Sequence, residues 1–229
     1  MDRFRIVVMA KEPQVGRVKT RLCPPLTPDQ ACCLYDAFLF DTLDRLGELG
    51  VPVCVYGTST DGDARPLAEG RLGEICRATG AELHSQVQGH LGARMQAAFG
   101  EQLRLSARVV VVGADSPDLP VGRIGEAVGA LQDAEICLGP AGDGGYYLIA
   151  ARMVPTALLG ADIPWGTGGV LEATRRCCEN AGLVHVELAR WDDVDKPDDL
   201  RRLVERLDAN RAESLVRTRS VLAGLDWAR

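Results

Sequence analysis

Two hydrophobic periods alternate along this 229-residue chain. Short apolar runs, several rich in β-branched residues, predict strands over Phe4–Ala10, Val51–Tyr56, Glu82–Val87, Arg108–Gly113, Ala134–Leu138, Tyr146–Ala151 and Val184–Leu188. Between them, apolar residues recur at three- and four-residue steps. That spacing predicts helices over Pro28–Leu49, Arg65–Thr79, Leu91–Leu105, Val121–Gln132, Gly169–Asn180, Pro197–Leu207 and Glu213–Gly224. The first helix carries its own signals: Thr27 as N-cap, Pro28 at the first helical position and Gly50 as the stop. Four consecutive valines, Val109–Val112, form the clearest strand, and so continuous a run suits a central strand covered on both faces.

Strands alternating with helices predict a mostly parallel sheet with helices on both sides. One domain over residues 1–210 accounts for the pattern. Residues 211–229 then form a helical extension whose Leu215, Val216, Val221, Leu222 and Leu225 would pack on the domain or on a second subunit, so a homo-oligomer is compatible. In open sheets of this kind ligands bind outside the carboxyl ends of the strands. That rule directs attention to the loops after Ala10, Tyr56, Gly113 and Leu138.

Composition narrows the classes. A hydrophobic fraction of 46% is enough to build a substantial core. The net charge of -6 argues against nucleic acid and anionic membranes as partners, since a nucleic-acid binder needs a basic face. No run approaches the roughly 18 apolar residues of a spanning helix, and the N-terminus lacks the apolar core of a secretion signal. The eight cysteines include two adjacent pairs and no C-x-x-C, so zinc spacing is missing and the reading is reduced, buried thiols in a cytoplasmic protein. His84, His90 and His185 form no metal spacing and receive no role.

Four loops carry candidate chemistry. Residues 11–21 hold Lys11, Arg17, Lys19 and Arg21 against a single acid, inside an acidic protein. Concentrated positive charge at a strand end suits a polyphosphate, with Lys as a point charge, Arg as a paired donor and Gly16 allowing close backbone approach. A P-loop and a G-x-G-x-x-G fingerprint are both absent there, which disfavours P-loop hydrolases and nicotinamide enzymes. Beyond the valine strand, Gly113-Ala114-Asp115 places a carboxylate where it could hold a hard divalent cation. Asp118 reads as a second ligand or as a cap for the helix near Val121. The glycine-rich turn Gly139–Tyr147 offers Asp143 as a base or hydroxyl-orienting group, and equally reads as a hairpin turn. Residues 191–200 hold five acids. A helix start explains Asp198 and Asp199, whereas Asp195, before Pro197, calls for another reason.

These segments together resemble the nucleotide-diphospho-sugar transferase (GT-A) superfamily. The nearest resemblance is to a bacterial glycosyltransferase family of the arsenosugar-biosynthesis type, carried by Met9–Pro13, Gly16–Leu22, Gly113–Pro120, Gly139–Ala141, Asp143–Ile149 and Trp165–Thr167. A more distant one is to 2-phospholactate guanylyltransferases, carried by the lysine and arginine segment and by Asp193–Leu200. The resemblance implies a single-domain GT-A / Rossmann-like α/β/α sandwich. It implies phosphate contacts from Lys11, Lys19 and Arg21, with Ala10, Gly16, Arg17, Gly113, Ala114 and Gly144 completing the nucleotide site. Asp115 and Asp195 would then hold Mg2+ or Mn2+, and Lys19, Arg21 and Asp143 would serve catalysis. Where that family usually has an acid before Asp143, this chain has Gly142.

The implied activity is a metal-dependent transferase acting on an activated nucleotide, with glycosyl transfer from a nucleotide sugar to a small-molecule acceptor preferred. The alternatives are nucleotidyl transfer from a nucleoside triphosphate with release of pyrophosphate, and a non-catalytic nucleotide-binding protein.

Overall fold

The computed structural model describes residues 4–59, 66–209 and 215–225. Seven strands form one sheet: β1 (Phe4–Lys11), β2 (Val53–Thr58), β3 (Glu82–Ser85), β4 (Arg108–Gly113), β5 (Ile136–Pro140), β6 (Tyr146–Ala151) and β7 (His185–Glu187). Their order is β3-β2-β1-β4-β6-β5-β7, and only β6 runs against the rest. The helices are α1 (Pro28–Gly47), α2 (Arg71–Thr79), α3 (Leu91–Gln102), α4 (Gly122–Ala130), α5 (Val170–Ala181), α6 (Pro197–Ala209) and α7 (Val216–Ala223). The single-domain α/β/α sandwich with a mostly parallel sheet is therefore the observed architecture.

Strand alternation sorts the core into two layers. Ile6, Val8, Val110 and Val112 point to one face, where α1, α2 and α4 supply Leu39, Leu43, Ile75 and Ile124. Val7, Val109 and Val111 point to the other, against Met95 and Phe99 of α3 and Leu171 of α5. Each fully buried aliphatic side chain contributes about 1.5–3 kcal/mol, so the valine run of β4 anchors both layers at once. A third cluster lies on the outer side of α1. Leu34 and Phe38 there meet Leu22, Val194 and the α6 residues Leu200, Leu203 and Leu207.

Helix α1 begins as its sequence dictates, with the Thr27 hydroxyl accepting from the Gln30 N–H and the Gln30 side chain answering to the Thr27 N–H. Helix α2 starts later than its pattern suggests. A short 3-10 turn occupies Leu67–Glu69, and the α helix begins at Arg71, where the buried Glu12 carboxylate accepts from the Arg71 and Leu72 N–H groups. The expected starts at Arg65 and Glu213 lie outside the described residues. Helix α7 packs on α1, and the buried Asp41 carboxylate accepts from the backbone N–H of Arg217 and Thr218.

The chain builds β1, β2 and β3 outward in one direction, then returns so that β4 pairs on the opposite side of β1. Met9 stands level with Gly113 in that pairing, so the loops after β1 and β4 emerge side by side. This is the topological switch point at which such sheets bind ligands.

Candidate active site

The β1 loop turns back under itself and reaches Lys19, whose backbone is left-handed (φ 48°) as it enters a short 3-10 turn over Thr20–Leu22. Leu22 is buried in the third cluster and fixes the turn from below. Lys19 is consequently directed inward, and its side chain is only 3% exposed. Its ammonium pairs with Asp115 Oδ1, lies 3.1 Å from Asp195 Oδ1, and donates to the Val194 carbonyl at 2.7 Å. Those three partners match the three donors of an ammonium. Burial alone would pull this amine down, but the charges of Asp115 and Asp195 reverse the effect and hold it above the ordinary lysine value.

Asp115 and Asp195 come from segments 80 residues apart in sequence, and the backbone joins them as well. The Val194 N–H donates to the Asp115 carbonyl at 2.9 Å. Asp193 sits beneath, accepting from the Ser116 hydroxyl at 2.5 Å. Burial pushes the Asp193 carboxyl up to about 7, with the neighbouring Asp115 charge adding to it and the Ser116 bond opposing it. Asp199 receives the N–H groups of Asp195 and Lys196 at 3.0 and 2.7 Å, tying the acidic segment to the start of α6.

A cleft of about 590 Å³ opens over this group. Ala10, Lys11, Arg17, Lys19 and Arg21 line it from the β1 loop, and Gly113, Asp115, Asp143 and Asp195 line it from the other side. Gly16, Ala114 and Gly144 are not on its wall. Gly16 forms an exposed turn, Ala114 is buried, and Gly144 (φ 88°) lies where a Cβ would strike the Gly168 carbonyl at 2.1 Å. Arg21 is largely exposed and approaches Asp195 Oδ2 at 3.8 Å. Asp143 commits Oδ1 to the Gly145 N–H at 2.9 Å in an exposed turn between β5 and β6, so the hairpin and the cleft-lining positions coexist.

Asp118 joins neither role expected for it. Its carboxylate is taken by the Arg206 guanidinium of α6, with Nε at 2.6 Å, and it makes no cap bond to α4. Gly142 also has a tertiary reason. A Cβ there would fall 2.3 Å from Asp192 Oδ1 and 2.4 Å from an Arg190 nitrogen, so that ion pair fills the space a side chain would need.

Sequence reasoning passed over several cleft groups. Gln86, just past β3, donates to the carbonyls of Ala10 and Tyr56 and accepts from Arg94. His90, just outside the cleft wall, caps α3 through Nδ1 and stacks toward Trp165, a cleft residue, at 6.3 Å. Tyr35 of α1 accepts from the Lys11 N–H at 2.9 Å and holds the start of the basic loop. Only the position of Gln86 at a strand's carboxyl end offered a signal in advance.

The chemistry of the Asp115 and Asp195 donors suits Mg2+ or Mn2+. They supply hard oxygens from two segments, are 45% and 38% exposed to the cleft, and already converge on one cation, the Lys19 ammonium. A second convergence lies at the opposite end of the sheet, where Cys54, Glu82 and His84 bring potential ligand atoms within 4.8 Å of one another. The cysteines there and elsewhere are free thiols. Cys54, Cys76, Cys137 and Cys178 are buried as expected, whereas Cys33 is exposed. No helix among the described residues is long and apolar enough to cross a membrane.

Residues 39–167, more than half of the chain, match the family described as "Uncharacterized protein conserved in bacteria (DUF2064)". The chain belongs to this family. It is also similar to a solved Desulfovibrio desulfuricans protein described as a "putative nucleotide-diphospho-sugar transferase", at 30% identity and a TM-score of 0.83, over 97% of this chain and 96% of that one. The fold recurs in a Leptospira borgpetersenii cytidylyltransferase (14% identity, TM-score 0.59, 98% and 95% covered). It recurs again in CMP:2-keto-3-deoxy-manno-octonic acid synthetase complexed with CTP (14%, 0.56, 90% and 99%). No curated protein matches the sequence. Two of these neighbours are described as transferases and the third as a synthetase, and the DUF2064 protein shares the nucleotide-diphospho-sugar transferase fold.

Proposed function

We propose that this DUF2064 protein is a cytoplasmic, metal-dependent glycosyltransferase that takes a nucleotide-diphospho-sugar as donor and a small molecule as acceptor. The observation that carries this reading is the convergence of Lys19, Asp115 and Asp195 beneath a cleft whose rim holds Lys11, Arg17 and Arg21. The Desulfovibrio relative, described as a sugar transferase and alike over nearly the whole chain, favours sugar transfer. Residues 1–210 form the transferase domain in this reading, with 211–229 a helical extension.

Asp115 and Asp195 would hold Mg2+ or Mn2+, which when bound supplies Lewis-acid charge to the diphosphate oxygens. The rest falls to the protein. Lys11, Arg17 and Arg21 bind and orient the diphosphate, and their positive charge offsets the charge that grows on it as the bond to the sugar breaks. The acceptor hydroxyl oxygen forms the new bond to the anomeric carbon, and the nucleoside diphosphate leaves. Asp143 keeps one carboxylate oxygen available beside the cleft to receive the acceptor proton. Tyr35 and Gln86 fix the carboxyl end of β1, so the basic loop meets the diphosphate already oriented.

The decisive experiment incubates the protein with Mn2+ and separate pools of nucleotide sugars and nucleoside triphosphates, then identifies products. Release of a nucleoside diphosphate with a glycosylated acceptor is expected. Release of pyrophosphate would replace this reading with nucleotidyl transfer, and binding without turnover would replace it with a nucleotide-binding role.

A further inference from the structure

The inward Lys19 raises a conflict within the site. A lysine that contacts a phosphate must offer at least one N–H to it. Here the ammonium, 3% exposed, spends its donors on Asp115, Asp195 and the Val194 carbonyl. It lies between the two carboxylates at the position where a cation shared by them would lie. The Phe38 ring flanks it at 6.0 Å, an apolar neighbour that leaves the acids as its main company. The acids have the opposite character. Their side chains stay 45% and 38% exposed, and each has a second oxygen outside the short contacts to Lys19.

We propose that Lys19 is an internal stand-in for the divalent cation. In the ligand-free protein its ammonium holds Asp115 and Asp195 together, and it is displaced into the cleft when the cation binds, where it becomes a phosphate ligand beside Arg17 and Arg21. The inference rests on the cation role of Asp115 and Asp195 proposed above. Two carboxylates from distant segments would repel across an empty gap, so a resident positive charge keeps the acidic segment docked until a stronger one arrives. The exchange moves one positive charge out as a divalent one enters. It also couples the two halves of the substrate complex: a lysine released by the cation is one made available to the diphosphate. The basic loop can accommodate this motion because Lys19 begins a short turn whose next residues, Thr20 and Arg21, are exposed.

The test measures Mn2+ binding without nucleotide, by calorimetry and by loss of the free-Mn2+ spin-resonance signal, for the native protein and for Lys19→Met. Removing the competitor should tighten Mn2+ binding by roughly tenfold. A folded Lys19→Met protein with unchanged or weaker Mn2+ affinity overturns the proposal, since a lysine that only contacts phosphate would leave nucleotide-free binding alone. A measurement on the native chain covers the case in which the variant does not fold. Lys19 should resist amine acylation, read by peptide mass spectrometry, and become reactive when Mn2+ is added. Protection that Mn2+ leaves unchanged, in a protein that binds Mn2+, overturns the stand-in while leaving the cation site intact. Absence of Mn2+ binding to both proteins, with and without nucleotide, would remove the cation role and the stand-in together.

Discussion

The same local arrangement, a basic side chain among acceptors, is built at both ends of the central strands, with opposite outcomes. At the carboxyl end Lys19 joins Asp115 and Asp195 beneath an open cleft. At the amino end Arg5, near the start of β1, reaches Cys54 of β2 at 3.2 Å and Glu82 of β3 at 2.5 Å, with His84 nearby. The amino-end group has ligand atoms at metal-like spacing. Its donors are nonetheless committed: the guanidinium already lies against both partners, and burial pushes the Cys54 thiol up to about 11, so it stays protonated. The carboxyl-end acids present half-exposed oxygens to a cleft. Both ends hold an ion pair and half-exposed carboxylates; the protonated thiol at the amino end and the cleft at the carboxyl end separate them.

That contrast can be tested from its largest consequence downward. Asp115→Ala should abolish Mn2+-dependent nucleotide binding in calorimetry and lower turnover by roughly 100- to 1,000-fold. Retained affinity would break the assignment of chemistry to the carboxyl end. Asp118→Ala leaves the partly buried Arg206 without its carboxylate and should cost about 2 kcal/mol in urea unfolding. A stability change within error would mean that α6 is held by its apolar face alone. Arg21→Ala removes an exposed rim charge and should weaken nucleotide-diphosphate binding by roughly tenfold, less at high salt.

Arg5→Met should leave turnover unchanged and shift stability by no more than about 1 kcal/mol, because Glu82 is half exposed. Its signature is in pH. Burial alone would raise the Glu82 carboxyl, but the bond and charge of Arg5 more than offset it and hold it below the usual carboxylate range. A depressed folded-state value gives stability that is present above the unfolded value, roughly pH 4.3, and lost as pH falls further. The variant should therefore show a flatter acid limb in thermal melts below that pH. An identical acid limb would show that this pair is indifferent to its charge.

Much of the framework was legible in the residues. The valine run of β4, the Thr27 and Pro28 signals of α1 and the cluster of positive charge after β1 all act within a few positions of one another. Periodicity and capping depend on such neighbours, so they survive in the sequence. The start of α2 was not legible, because its cap is Glu12, 59 residues from Arg71. The roles of Asp118 and Gly142 were hidden for the same reason: Arg206 pairs with the first, and Arg190 and Asp192 fill the space beside the second. Gln86 and Tyr35 reach the carboxyl end of β1 from elements the sequence could predict but not orient.

By itself the sequence determined that strands and helices alternate, that charged and glycine-rich segments fall in the loops at strand ends, and that positive charge gathers after β1 in an otherwise acidic chain. Only the tertiary structure decided what the charges do to one another. Lys19 and Asp195 lie 176 residues apart and meet because α6 and α7 pack on α1, carrying Val194 into the cluster that holds Leu22. A lysine in a basic loop reads as a phosphate ligand until burial and two carboxylates give its ammonium partners inside the protein. Which partners it meets depends on helices packing side by side, and no local pattern encodes that packing.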